Sequence, residues 1–147
     1  MKYLKFLVAS AAVIVSLSTA AYAEDSPVGL WKTFDDSDGQ AASLVRIVEK
    51  EGRLEGQLIK LLPRKGHDIN AVCSKCEGSL KNQPISGMKI VWEMQRSGDE
   101  YTGGKILDPF SGNTYNCKIK IADGKLNVRG FIGFSLLGRT QTWVREE

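Results

Sequence analysis

Period-two alternation, interrupted at short intervals by turn residues, constrains this chain more than any other feature. Met88, Ile90, Trp92 and Met94 fall on one phase, with Lys89, Glu93 and Gln95 on the other. Tyr115, Cys117, Ile119 and Ile121 oppose Thr114, Asn116, Lys118 and Lys120. Leu126, Val128 and Ile132 oppose Lys125, Asn127 and Arg129. Successive side chains of a strand point to opposite faces, so this pattern predicts antiparallel strands with one face buried and one wet. Eight segments qualify: 28–34, 42–49, 54–62, 88–96, 101–107, 114–121, 125–134 and 139–144. Most breaks between them hold Gly, Asp or Asn, as tight hairpins require. Past the first two dozen residues no long 3.6-residue apolar period occurs, so little helix is expected.

Eight short strands must dispose of their sheet edges. Closing the sheet on itself removes them, and hairpin-length connections favour pairing between sequence neighbours. The expected fold is therefore all-β, an eight-stranded antiparallel up-and-down barrel; a two-sheet sandwich is the competitor. In a closed barrel the first and last strands must be neighbours. One connection, 63–87, is far longer than the rest and carries His67, Cys73, Cys76 and Pro84. A loop of this length in a small domain is a lid, a functional loop or a loop tied down covalently. A helical turn or an extra edge strand near 78–83 is compatible with its composition.

The first 23 residues read differently. Lys2 and Lys5 precede an apolar run over 6–17, which ends in the small-residue site Ala21-Tyr22-Ala23. This is the layout of an export signal cut after Ala23. It leaves 24–147 as a single barrel domain, periplasmic or secreted. Loss of two lysines lowers the formal charge from +3 to +1. Such a balance argues against a nucleic-acid partner, which demands a basic stripe. No later stretch reaches membrane-spanning length, so no membrane span is expected. A monomer is the default expectation.

Export permits disulfides. Three cysteines allow at most one bridge within the chain. Cys73–Cys76 would close a small ring and stiffen the long loop. Pairing of Cys117 with Cys73 or Cys76 is the alternative, and would pin the loop to the barrel. The Cys-x-x-Cys spacing also fits thiol redox chemistry, but that needs a helix N-terminus at the first Cys. The residues after Cys76 are too Gly- and Pro-bounded for such a helix. A zinc site would need His67 and Cys117 to converge on the pair. Asp35, Asp36 and Asp38 have a calcium-loop flavour, but no acidic residue stands at the distal ligand position, which falls on Arg46 or Ile47. They read as a solvated turn. No nucleophile elbow, zincin motif or phosphate loop is present. No enzymatic activity, cofactor or metal is expected.

Gly29-x-Trp31 at the first strand resembles the lipocalin signature, in which the Trp packs at one barrel end beneath an Arg of the last strand. That resemblance implies Arg139 or Arg145 as the covering residue. A broader similarity runs through Gly29-Leu30-Trp31-Lys32, Val72-Cys73-x-x-Cys76, Ile106-Leu107-Asp108-Pro109, Gly112-Asn113-Thr114-Tyr115 and the run from Leu136 to Trp143. It resembles an exported bacterial family, domain of unknown function 2147. That resemblance implies a lipocalin-like barrel and supplies no catalytic residue.

An eight-stranded barrel is filled by side chains or holds one small ligand. If the apolar phase faces inward, Met88, Ile90, Trp92, Met94, Tyr115 and Ile119 line the interior and mark the candidate ligand site. A ligand there would be small and hydrophobic, with Trp92 or Tyr115 as a polar handle. The function expected is an exported envelope protein that binds such a ligand. The alternative is a structural or protein-interaction module acting through the disulfide-bearing loop.

Overall fold

The strands are β1 (Gly29–Phe34), β2 (Ala41–Lys50), β3 (Arg53–Leu61), β4 (Lys89–Ser97), β5 (Glu100–Asp108), β6 (Asn113–Ala122), β7 (Lys125–Phe131) and β8 (Gly138–Arg145). They are seen in a computed structural model that describes residues 25–146; the expected export signal and its cleavage site lie outside the described residues. Each strand pairs antiparallel with its sequence neighbours, and β8 returns to β1 through Trp31↔Arg145 and Lys32↔Val144. The sheet is a closed up-and-down barrel, not a sandwich. The only helical element among the described residues is a 3-10 turn at Gly78–Leu80. None of those residues forms a helix long and apolar enough to cross a membrane.

This topology sorts the connections onto two ends. The links after β1, β3, β5 and β7 lie at one end, here the loop end. The tight hairpins after β2, β4 and β6 lie at the other, with both ends of the described chain.

The alternation fails where strands bulge. Between Gly56 and Gln57 the partner strand advances two residues, from Val91 to Lys89, so Ile90 is extra. A second slip separates Leu54↔Met94 from Gly56↔Val91, and there Glu93 takes a positive φ of 58°. Each bulge shifts the side-chain phase by one. Ile90, Val91 and Met94 are consequently all buried. Trp92 leaves the inward phase: it pairs with exposed Lys105 and is only half-buried against the core. β7 also stops short of expectation, at Phe131, because Ile132 bonds into a turn with Leu137.

Trp31, Ile47, Leu54, Val91, Met94, Ile119, Leu126 and Trp143 are essentially without exposure. Two glycines make room for them. A Cβ on Gly56 would lie 2.9 Å from both Ile47 Cδ1 and Val91 Cβ, and one on Gly104 would collide with the Trp92 carbonyl and Met94 Sδ.

The hairpin end is latched by Arg145. Its guanidinium carbon sits 4.3 Å from the Trp31 ring centroid. Its Nη1 and Nη2 donate to the carbonyls of Val28 and Ser26 at 3.1 and 2.6 Å. Trp31 Nε1 donates to the Pro27 carbonyl at 2.8 Å. Gly29 has φ +147°, and a Cβ there would overlap Arg145 Nη1. The glycine of Gly-x-Trp is thus required both by its backbone and by the cation beside it. Of the two arginines proposed to cover Trp31, Arg139 is excluded: it pairs with Asp36 at 3.0 Å, and the β7–β8 turn puts it at the loop end. Arg145→Ala should lower stability by about 1–3 kcal/mol, from a lost cation–π contact and two lost charge-assisted hydrogen bonds, one of them part-buried. Arg139→Ala should cost no more than about 1 kcal/mol, as an exposed pair does. Urea unfolding of the two variants checks this, and equal midpoints would contradict it.

Candidate functional site

The long loop is built as a small hairpin laid against the barrel. Cys73 and Gln83, Asn82 and Cys73, and Ile85 and Ala71 are joined by N–H to carbonyl bonds of 2.8–3.0 Å. Gly87 N–H donates to the Leu58 carbonyl at 2.7 Å, tying the loop's return to β3. Cys73 and Cys76 form a disulfide with Cα atoms 5.3 Å apart. Both half-cystines and Ile85 belong to the buried core, so the bridge faces inward. Gly112, in the β5–β6 turn, lets the loop approach: a Cβ there would collide with the Lys75 carbonyl.

The bridge removes Cys73 and Cys76 from thiolate chemistry. The rival pairings through Cys117 do not form. Cys117 is a free, buried thiol on β6, and burial pushes its pKa up to about 12. A thiol so shielded is unreactive. Among the described residues no three His, Cys, Asp or Glu side chains gather as metal ligands.

The interior positions proposed to line a ligand site are distributed as follows. Met88, Ile90, Met94 and Ile119 are buried within the core cluster. Trp92 stands outside that phase, and Tyr115 is half-buried beside Ile106 near the loop end. With Trp31, Trp143 and Leu54 also packed inside, the bore is occupied by side chains.

Open space lies on the outside and at the rim. One groove of about 200 Å³ runs over the outer face of β2, β3 and β4, between Arg46, Val48 and the Glu55–Lys89 ion pair. A second, of about 230 Å³, lies at the loop end beneath the start of the long loop. Its apolar walls are Ala42, Leu61, Leu62, Ala71 and Phe110. Arg64 also lines it, together with Asp68 and His67, and His67 is exposed.

The sequence pointed to the acidic turn at Asp35, Asp36 and Asp38, but to neither Arg64 nor its pairing with that turn. The Arg64 side chain is only 6% exposed, and its Nη1 lies 2.9 Å from Asp35 Oδ2 and 3.6 Å from Asp38 Oδ1. The Ser37 hydroxyl, the Ser37 N–H and then the Arg64 guanidinium hold Asp35 well below the usual carboxylate range. The acidic turn is therefore not simply solvated. Asp35 and Asp38 balance a buried cation, and Asp36 accepts from Arg139 and Gln141. Pairs of this kind, 26 to 29 residues apart and joined only by the barrel, leave no local spacing signal. The one hint was a charged residue directly after Leu61-Leu62-Pro63.

The loop end also carries an exposed apolar tip. Ile132, Phe134, Leu136 and Leu137 in the β7–β8 turn are between 69% and 88% exposed.

The family model described as "uncharacterized protein conserved in bacteria" (DUF2147) matches residues 29–145. The chain belongs to the DUF2147 family. That match spans the whole barrel, from Gly29 of the latch to its Arg145. No curated protein matches the sequence. Among solved structures, protein HP1028 from Helicobacter pylori, which belongs to the lipocalin family, is similar with a TM-score of 0.71. The two are 20% identical over 83% of this chain and 84% of that one. At that identity the likeness concerns the fold: this DUF2147 protein has a lipocalin-like barrel.

Thiol titration tests the cysteine assignment. Native, unreduced protein should give no thiol reactive with a disulfide reagent near neutral pH. Unfolding without reductant should release one, and reduction of the unfolded chain three. A reactive thiol in the native state would overturn the burial of Cys117.

Proposed function

We propose that this protein is an exported component of the bacterial envelope that binds a small hydrophobic ligand, and that the ligand sits in the rim groove under the long loop. The observation that carries the reading is the pairing of a filled bore with an apolar groove at the loop end, walled by Leu61, Leu62, Ala71 and Phe110. Small-molecule sites are concave and mostly apolar, with a few polar groups that fix orientation. The groove has that composition. The lipocalin-like barrel is compatible with such a role. On this reading Met88, Ile90, Met94 and Ile119 are the packed support of the site rather than its lining. The disulfide supports the export part of the reading, since such bonds persist in oxidising compartments.

The alternative, an envelope interaction module, draws support from exposed apolar residues at the same end. They are Ile69, Val72 and Leu80 on the long loop and the tip around Phe134 and Leu136. It places contacts on the outside of the loop, away from the groove.

Native mass spectrometry of protein isolated from its own host should show an added mass that organic solvent extracts. Phe110→Asp should abolish that adduct while leaving the unfolding free energy from urea titration within about 0.5 kcal/mol of the wild type, because Phe110 is half exposed. An adduct that survives in Phe110→Asp, or no adduct in the wild type, would argue against the groove.

A further inference from the structure

We propose that the β7–β8 turn docks this protein on a membrane, its apolar tip entering the headgroup layer of a bilayer that contains anionic phospholipid. Docking of this kind does not require the rim groove to hold a ligand.

Four of the six residues from Ile132 to Leu137 are large, apolar and exposed: Ile132, Phe134, Leu136 and Leu137. Single exposed apolar side chains are ordinary, but a contiguous group marks a surface that something apolar covers. The group lies beyond the last β7–β8 pair, Phe131↔Gly138, and its backbone is closed on itself. Ile132 N–H donates to the Leu137 carbonyl at 3.2 Å, and Leu137 N–H to the Phe134 carbonyl at 2.9 Å. Arg129 Nε donates to the Ser135 carbonyl at 2.6 Å. Three carbonyls are thereby satisfied without water, as a segment entering an apolar medium needs. A turn this small does not supply the roughly 800 Å² per partner of a standard protein interface. An interfacial membrane anchor needs only a few apolar side chains with cations close behind them.

Those cations are present. Phe131 pairs with Asn116, and Asn116 with Lys105, in the last row of the outer face below the turn. The next outward row joins Lys118 to Arg129 and Arg129 to Thr140. Two residues separate the rows, roughly 7 Å along the strands. Cys117, Ile119 and Val128 are buried, which fixes Lys118 and Arg129 on the outside. Lys118 and Arg129 therefore stand directly opposite each other, and like charges so placed destabilise a sheet. No carboxylate among the described residues pairs with Lys105, Lys118 or Arg129. A tip inserted by about 5–10 Å would bring an anionic headgroup layer against this face. The acidic β1–β2 turn flanks the tip on its other side, but Arg64 and Arg139 answer its carboxylates.

The test is flotation, with phospholipid vesicles, of protein expressed in and isolated from its own host. One set of vesicles is phosphatidylcholine alone; the other contains about a quarter phosphatidylglycerol. The anionic vesicles should bind the protein about tenfold more tightly. Phe134→Ser with Leu136→Ser should weaken binding to either set by about tenfold or more. Both positions are exposed, so urea unfolding of that variant should match the wild type. Lys105→Gln with Lys118→Gln should lose about tenfold on anionic vesicles and nothing on neutral ones. In Phe134→Trp, the added emission should shift to the blue on vesicles and be quenched by lipids brominated in the acyl chain. Undiminished binding of the Phe134→Ser, Leu136→Ser variant, or an unquenched Phe134→Trp, would overturn insertion of the tip. Equal affinity of the wild type for both vesicles, or an unaffected lysine variant, would overturn the anionic assignment. No binding to either set would overturn the proposal outright, and self-association lost in the Phe134→Ser, Leu136→Ser variant would then give the tip to a second copy of the chain.

Discussion

The narrow bore of an eight-stranded barrel leaves room for packed side chains or for a ligand, and the choice governs everything else here. Gly56 and Gly104 give up their side chains to Ile47, Val91 and Met94. Trp31 and Trp143 occupy the remaining width, with Leu54, Ile119 and Leu126. Interiors at this density tolerate little rearrangement. Polar chemistry is accordingly pushed out to the rim, where four connections converge and one is long enough to form a wall.

The barrel was legible because half-buried antiparallel strands write their two faces into alternate residues. β6 follows that rule, with Cys117 and Ile119 buried. β4 departs from it, since two bulges re-phase the strand and turn Trp92 off the inner face. Bulges arise from pairing with a neighbour, and a single strand's residues do not announce them. The Gly-x-Trp signature located the latch but left Arg139 and Arg145 open. The register of β8 decides between them, because six residues carry the chain from one end of the barrel to the other. The acidic turn and Arg64 are a harder case. Each is unremarkable in its own segment, and only closure of the sheet brings a buried cation against the carboxylates that balance it.

The long loop serves the site as architecture. Its disulfide spans only three positions, and in the chain-entropy account so small a ring restrains the unfolded chain by about 2 kcal/mol. Its larger effect is local. The bridge buries two sulfurs against the core and folds the segment into a hairpin whose base includes Ala71. Gly112 receives the tip of that hairpin on the β5–β6 turn, next to Phe110. Two walls of the rim groove are thus fixed by one close backbone contact.

Closure itself is uneven. β2 and β3 share eight registered pairs and β7 and β8 share seven, whereas β8 meets β1 through two. One further backbone bond, from Glu146 N–H to the Leu30 carbonyl, extends this join. A ring with one short joint has a preferred place to part. Breathing of this protein should begin as a door swinging between β1 and β8, with Arg145 as its bolt and Trp31 as the first core residue to meet water. The hydrophobic interior would then be reached through the side of the barrel, without unfolding the rim that carries the groove.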